Sequence, residues 1–405
     1  MRILVLSSVF PNQAKPTLGV FVKNRVRRVA RFGEVVVVAP VAWFPFNRWI
    51  RGVKGENLPF AENLEGLRVF HPRYFCIPAL GKCFDGIFYC LSVLWLVFWL
   101  RREFSFDLID AHFSYPDGVG AAWLSKFFRV PLFVTVRGTH DIRHARYRLR
   151  QPQIRFALNH ANTVICVSHS LKTFTHDLGV PLSRIRVIPN GIDESEFFYA
   201  DQRAARDKLG LPAGATILLS VGAFIEGKGH QRIIEVVPEL LEQFPQMLFV
   251  AVGDQAIDPS YFRFVKELIR RKNIEQKVLL VPAQPHSEIR LWMNAATLFC
   301  LATRSEGRCN AILEALACGL PVVTTDVGGN RELVENDGDG LLVPFWAKNE
   351  FLAALRRALE ENWDRKAISR RARRVTWEHT TADVVAEFQR VVKPIDSAQA
   401  RLQVI

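Results

Sequence analysis

Short apolar, β-branched runs alternate with segments of helical period along most of this chain, and the alternation runs through twice. In the first half, Ile3–Leu6, Val35–Ala39, Leu108–Ile109, Leu132–Val136, Val164–Val167 and Val187–Ile188 read as strands. Helices fall between them at Val20–Phe32, Val119–Phe128 and Ser170–Asp177. The second half restarts with strands at Ile217–Val221, Met247–Val252, Val278–Val281, Leu298–Leu301, Val322–Thr325 and Leu341–Val343. Its helices are expected at Gln231–Phe244, Tyr261–Lys272, Glu288–Ala295, Asn310–Ala317 and Lys348–Glu361. Strands that are apolar end to end are buried on both faces, so helices must cover both sides of a parallel sheet. Two successive patterns of this kind imply two Rossmann-like, doubly wound α/β domains. The 405 residues are enough for both. The polar stretch Tyr199–Gly214, with Gly210 and Pro212, is the expected joint, giving domains 1–200 and 201–378.

Composition narrows the setting. Seven cysteines form no Cys-x-x-Cys pair, which argues against a zinc site or disulfide framework and for a reducing cytosol. Cys76, Cys83 and Cys90 recur every seventh residue and read as buried small apolar side chains. Ile3–Leu6 follows Arg2 at once and reads as a first strand, not as a signal peptide. The formal charge is +13, and it is unevenly spread: residues 1–199 hold 26 basic and 14 acidic side chains, residues 200–405 hold 27 and 26. A basic half joined to a neutral one suggests a polyanionic surface. No nucleic-acid motif accompanies it, so an anionic membrane is the expected partner and nucleic acid is not.

Two segments bear on that surface. Gly86–Leu100 carries no charge and is capped by Arg101-Arg102. Fifteen helical residues reach about 22 Å, short of the roughly 30 Å hydrocarbon core, so a span is disfavoured. The open alternatives are a helix of the domain core or one dipping a face into the bilayer surface. Trp43–Arg51 mixes aromatics with arginines, as an interfacial anchor or an acceptor-binding loop would, or as loop aromatics packing on their own domain would.

The chemistry concentrates in Ser305-Glu-Gly-Arg-Cys-Asn-Ala-Ile-Leu-Glu314, followed by Ala315-Leu-Ala-Cys-Gly-Leu-Pro321. A Gly-containing loop feeding a helix start offers free backbone N–H groups and a positive dipole end to an anion. A carboxylate one turn into that helix is placed to accept from sugar hydroxyls. Asn310 also fits a structural N-cap. Val221-Gly-Ala-Phe-Ile-Glu-Gly-Lys-Gly-His230 follows a strand and opens a helix, and Lys228 between two glycines is placed to reach a phosphate. Asp337-Gly-Asp-Gly340 precedes a strand and reads as a tight turn, not as a metal loop.

Together with Asp107–Gly118, Ile188–Asp193 and Val327–Leu333, in this order, these strings resemble the retaining glycosyltransferases of the GT-B fold, family 4 (glycosyl transferases group 1). The resemblance covers roughly residues 1–390 and implies two Rossmann-like domains facing an interdomain cleft, the default site of such sheets. It implies a last helix, about 379–392, returning to the first domain, with 393–405 as a tail. The implied activity is transfer of a sugar from a nucleotide-diphosphate donor to a lipid-linked or polysaccharide acceptor, with retention. UDP- or GDP-sugar is the implied substrate, and no cofactor or metal is demanded. The implied location is cytoplasmic, peripheral at the inner face of the cell membrane. By the same resemblance, Lys228 binds the diphosphate and stabilises the leaving group, with Glu306 and Arg137 completing the catalytic set. Gly307, Arg308, Cys309 and Asn310 cradle the donor, Glu314 bonds the nucleotide ribose, and Gly19 lies in a loop over the donor phosphate. The base lies near Ala283–His286. His112, His140 and Asp141 fall on the acceptor side. Two positions depart from the family pattern: Ala223 stands where many relatives carry an arginine, and Arg137 where many carry a histidine. A nucleotide-sugar epimerase on the same fold is the alternative.

Overall fold

The structure is a computed structural model of the chain and describes residues 1–44, 58–77, 79–335, 337–345 and 347–392. Residues 45–51 of the aromatic, arginine-rich segment and the tail 393–405 lie outside the described residues.

The chain forms two compact units, Met1–Asn190 with the segment from Trp377 onward, and Gly191–Thr376. In chain order the strands are β1 (Arg2–Leu6), β2 (Glu34–Val38), β3 (Val41–Trp43), β4 (Ala61–Leu64), β5 (Leu67–Phe70), β6 (Arg73–Phe75), β7 (Leu108–His112), β8 (Leu132–Val136), β9 (Thr163–Cys166), β10 (Ile185–Val187), β11 (Thr216–Val221), β12 (Met247–Val252), β13 (Val278–Val281), β14 (Leu298–Leu301), β15 (Val322–Thr325) and β16 (Gly340–Val343). The α-helices are α1 (Val20–Val29), α2 (Asp85–Phe104), α3 (Val119–Phe128), α4 (Thr139–Ala145), α5 (Gln151–His160), α6 (His169–Asp177), α7 (Gln202–Leu209), α8 (His230–Leu241), α9 (Pro259–Arg271), α10 (His286–Ala295), α11 (Asn310–Ala317), α12 (Lys348–Glu360), α13 (Arg365–Ala372) and α14 (Trp377–Val392).

In the first unit the sheet order is β10-β9-β8-β7-β1-β2-β5-β4, and in the second it is β13-β12-β11-β14-β15-β16. Every pairing in these sheets is parallel except β4 with β5. Strands β7, β8 and β9 are buried at every residue, which explains the apolar runs of β8 and β9 and of Leu108–Ile109 in β7, where Asp110 and His112 are buried polar residues. One core of the first unit packs α2, α3 and α5 on the sheet, and the other packs α1 and α14. The second unit likewise has two cores, one under α10, α11 and α13 and one under α8, α9 and α12. Each sheet reverses its winding once, between β1 and β7 in the first unit and between β11 and β14 in the second. Such a reversal leaves a crevice beyond the carboxyl ends of the two strands.

Three sequence expectations change. The division falls at Asn190, ahead of the expected joint, because the polar stretch Tyr199–Gly214 is folded. Asp201 caps α7 by accepting the Ala204 N–H at 2.7 Å, and Arg206 Nε donates to the Ala295 carbonyl at 2.9 Å. A helix whose buried residues are only Ala205 and Arg206 leaves no apolar stripe to read. Cys76, Cys83 and Cys90 are half-buried instead of buried. Finally, α2 has 20 residues, not fifteen, and so reaches about 30 Å. Its length therefore no longer argues against a span. Its packing does: Tyr89, Val93, Val97 and Leu100 are fully buried in the core of the first unit.

Candidate active site

The second unit gathers its predicted residues at the β11/β14 reversal. The chain leaves β11 through Gly222, turns at Glu226–Lys228, and enters α8 through Gly229. Gly229 has φ +82°, and a Cβ there would lie 1.9 Å from the Ala302 carbonyl oxygen, so only glycine fits. Gly227 has open space at its Cα; its carbonyl instead accepts the Arg304 N–H at 2.9 Å. This turn sets Lys228 against the loop that follows β14. Lys228 Nζ donates to Glu306 Oε1 at 2.7 Å, and the Thr303 hydroxyl lies 3.0 Å from both Glu306 Oε1 and the Gly227 carbonyl. Burial works against the ammonium, but Glu306 outweighs it and holds Lys228 charged well above its usual range. Arg304 Nη2 bonds Glu226, two residues before Lys228, at 2.8 Å, which brings a second cation to this turn on a sequence that lacks the arginine expected at Ala223.

Gly307, Arg308, Cys309 and Asn310 continue from Glu306 into α11. Cys309, not Asn310, occupies the N-cap, with no side-chain cap bond, and Asn310 is the first helical residue. The first-turn amides have no preceding carbonyls to bind, which leaves an anion-facing helix start. Burial pushes the Cys309 thiol up to about 12, so this residue offers its backbone and not a thiolate. Burial lowers Arg308 to about 10, with Glu332 and Glu335 opposing that shift, and the guanidinium stays charged at neutral pH. The loop is braced from Val327–Leu333: Gly328 backs onto the Glu306 carbonyl and the Gly329 N–H donates to the Gly307 carbonyl at 3.0 Å. Asn330 in turn donates to the Thr325 carbonyl at 3.1 Å.

Glu314, one turn into α11, meets a residue that sequence reasoning placed only near the base. His286 Nε2 donates to Glu314 Oε1 at 3.0 Å and Nδ1 to Glu196 Oε2 at 3.1 Å. Burial lowers the imidazole, but hydrogen bonds to Glu196 and Glu314 dominate and raise it to about 10. His286 is thus an imidazolium that fixes one Glu314 oxygen and leaves the other available. Asp339 of the Asp-Gly-Asp-Gly turn is taken by Arg371, with Nε–Oδ1 at 2.8 Å.

The first unit gathers the remaining predicted residues at the β1/β7 reversal. Gly19, φ +66°, opens α1, with the Val9 carbonyl 2.3 Å from where a Cβ would stand. His112 ends β7 and Arg137 follows β8. Arg137 donates to His112 Nδ1 through Nε at 3.1 Å and Nη2 at 2.7 Å, and to Asn190 Oδ1 through Nη1 at 3.2 Å. The Phe21 ring lies 5.2 Å from its guanidinium. An arginine only donates, so His112 carries its proton on Nε2, toward Asp110 Oδ2 at 3.4 Å. Burial lowers His112 to about 4 and Arg137 to about 9, so at neutral pH the histidine is neutral and the arginine charged. Both Asp141 oxygens are occupied by backbone amides, from Ser114 at 2.6 Å, Arg137 at 2.8 Å and Gly138 at 3.1 Å, which makes this carboxylate a cap on α4. His140 Nε2 contacts His144 Nε2 at 3.2 Å, and Arg150 donates to His144 Nδ1 at 2.6 Å.

Two family profiles match the chain: Glycosyltransferase Family 4 over residues 18–196 and Glycosyl transferases group 1 over residues 201–375. A Bacillus subtilis protein described as a teichuronic acid biosynthesis glycosyltransferase is 30% identical over 375 residues, 90% of either chain. The chain belongs to the group 1 glycosyl transferases of the GT-B fold. Among solved structures, this glycosyltransferase is similar to the sucrose-phosphate synthase of Thermosynechococcus elongatus, with TM-score 0.78 and 19% identity over 96% of this chain and 99% of that one. It is also similar to Anabaena HepE, solved with UDP-glucose, with TM-score 0.72 and 22% identity over 96% of this chain and 100% of that one.

The His286 bridge gives this glycosyltransferase a measurable signature. A pKa raised on folding stabilises fully below the unfolded value near 6.5, and the gain fades as pH rises toward about 10. The melting temperature of His286→Ala is therefore expected to lie below that of the wild type by an amount that is largest near pH 6 and shrinks steadily toward pH 10. Thermal melts of both proteins across that range check it. A constant difference would mean that the imidazole is not charged between the two glutamates.

Proposed function

We propose that this glycosyltransferase moves a hexose from a UDP- or GDP-sugar, with retention, to a lipid-linked or polysaccharide acceptor at the cytosolic face of the membrane. The observation that carries the reading is the convergence of Lys228–Glu306 and His286–Glu314 on one strand reversal, at a helix start. Lys228 has three N–H donors and spends one on Glu306. The others are free to meet the leaving diphosphate, where negative charge develops as the sugar–oxygen bond breaks. Glu314, held through one oxygen, accepts from the ribose hydroxyls through the other. The Gly307–Asn310 backbone takes donor hydroxyls or phosphate. The UDP-glucose complex of the similarly folded HepE supports a nucleotide-sugar donor.

No enzyme nucleophile is part of this reading. The acceptor hydroxyl approaches the face that the diphosphate leaves. Its proton passes to the departing phosphate oxygen as the new glycosidic bond forms, and the protein contributes position and charge. Arg137, charged and nearly buried, is proposed to meet an anionic group of the donor sugar or acceptor. The relatives do not favour the epimerase.

A melting panel with UDP, GDP and ADP tests the donor site and names the base. The matching nucleotide at ~100 times its dissociation constant is expected to add about 2.7 kcal/mol of stability. No shift with any nucleoside diphosphate would refute the site. Incubation with the donor alone must leave the sugar unisomerised, and the anomeric configuration of the product decides retention.

A further inference from the structure

Among the described residues, the outer face of α2 is left largely uncovered. Its inner face is sealed into the core of the first unit, yet Leu91 is 62% and Trp95 79% exposed, flanked by Ile87, Phe98 and Trp99. Alongside it, α3 presents Trp123 and, at 63% exposure, Phe127. Between the two helices runs an open apolar groove of about 440 Å³, with Lys126 at its edge. A contiguous apolar surface of this kind on a folded unit marks an interaction site.

The charges around it identify the partner. Among the described residues of α2 and α3, the only exposed acid is Glu103, and it faces Arg68 at 3.5 Å. Asp85 is buried. Arg101 and Arg102 end α2, Lys126 lies in the last turn of α3, and Arg129 follows as its C-cap. Arg68 stacks over Trp99 and Arg102 over Phe98. Tryptophans and leucines bordered by arginines and lysines, with one exposed acid among them, match a negatively charged headgroup layer over acyl chains. A two-fold dimer through this face would instead bring each basic border toward its own copy.

We propose that the outer face of α2, with Trp123 and Phe127 of α3, docks the protein on an anionic phospholipid bilayer. The helix lies in the surface without crossing it, because its inner face stays in the core. This deepens the reading of a membrane-face transferase and rests on it for the partner, although docking and transfer are separately measurable.

Flotation with phosphatidylcholine vesicles, with and without phosphatidylglycerol, tests the proposal on the full chain. Wild type is expected to float with the mixed vesicles, less so in high salt. Leu91→Glu/Trp95→Glu should lower that binding about tenfold or more while keeping its melting temperature and nucleoside-diphosphate shift. Those two controls show that the fold and donor site survive. Equal binding of wild type and variant overturns the proposal, as does wild type that ignores both vesicles. So does a wild-type dimer that the variant splits, since a second copy would then cover the face. Loss of the nucleotide shift in both proteins, with docking intact, would refute only the transferase reading.

Discussion

Lys228→Ala is expected to lower sugar transfer by about 10²–10³-fold, the usual consequence of removing one donor aimed at developing negative charge. That factor corresponds to about 2.7–4 kcal/mol of transition-state stabilisation. The side chain also has a structural partner, which complicates the reading of the single variant. Its ammonium is the cation on Glu306, a carboxylate whose side chain is only 10% exposed. Removing one member of a buried pair leaves the other charge uncompensated, so the melting temperature should fall too. Lys228→Ala/Glu306→Gln separates the two effects. A neutral amide at position 306 still accepts from Thr303 and no longer needs the cation. The double variant should regain most of the lost melting temperature and none of the lost transfer. Recovery of transfer together with stability would reduce Lys228 to a structural counter-ion and remove the chemistry assigned to it.

What the sequence discloses follows from how each element is buried. Strands such as β8, β14 and β15 lie between two helical layers, so every residue is apolar or small, and their positions can be read directly. Strands β3 and β6 have three residues each and β4 is largely exposed, which leaves nothing periodic to detect. The charged helices α7 and α13 bury two residues each and are equally silent. At the site, Lys228, Glu306 and Glu314 are legible because the loops that carry them are contiguous strings. His286 is not, since one of its partners, Glu196, lies 90 positions away and only the fold brings them together. Asp141 shows a different limit of the sequence reading. Its position beside His140 in a strand-end loop reads as acceptor chemistry, but three backbone amides have claimed the carboxylate.

The coupling between Val327–Leu333 and the Glu306 loop is the least legible feature, and it carries a second large expected effect. Gly328 has φ +56°, and a Cβ there would stand 1.9 Å from the Glu306 carbonyl oxygen and 2.9 Å from its carbon. Both atoms are backbone, so no rotamer change relieves the contact. Gly328→Ala must either hold alanine in the left-handed region against that carbonyl or push the loop away. The expected cost is about 2–3 kcal/mol. In a unit of this size that lowers the melting temperature by roughly 5–10 °C. Displacing the loop also moves Glu306 off Lys228, and a shift of about 1 Å at a positioning group can cost about 100-fold in rate. Gly210→Ala supplies the comparison, because Gly210 has φ +66° but open space where the Cβ would stand. It should lose only the left-handed preference, about 1–2 kcal/mol, with transfer unchanged. If Gly328→Ala melts and turns over no worse than Gly210→Ala, the two strings are not mechanically joined. Glu306 would then owe its position to Lys228 and Thr303 alone.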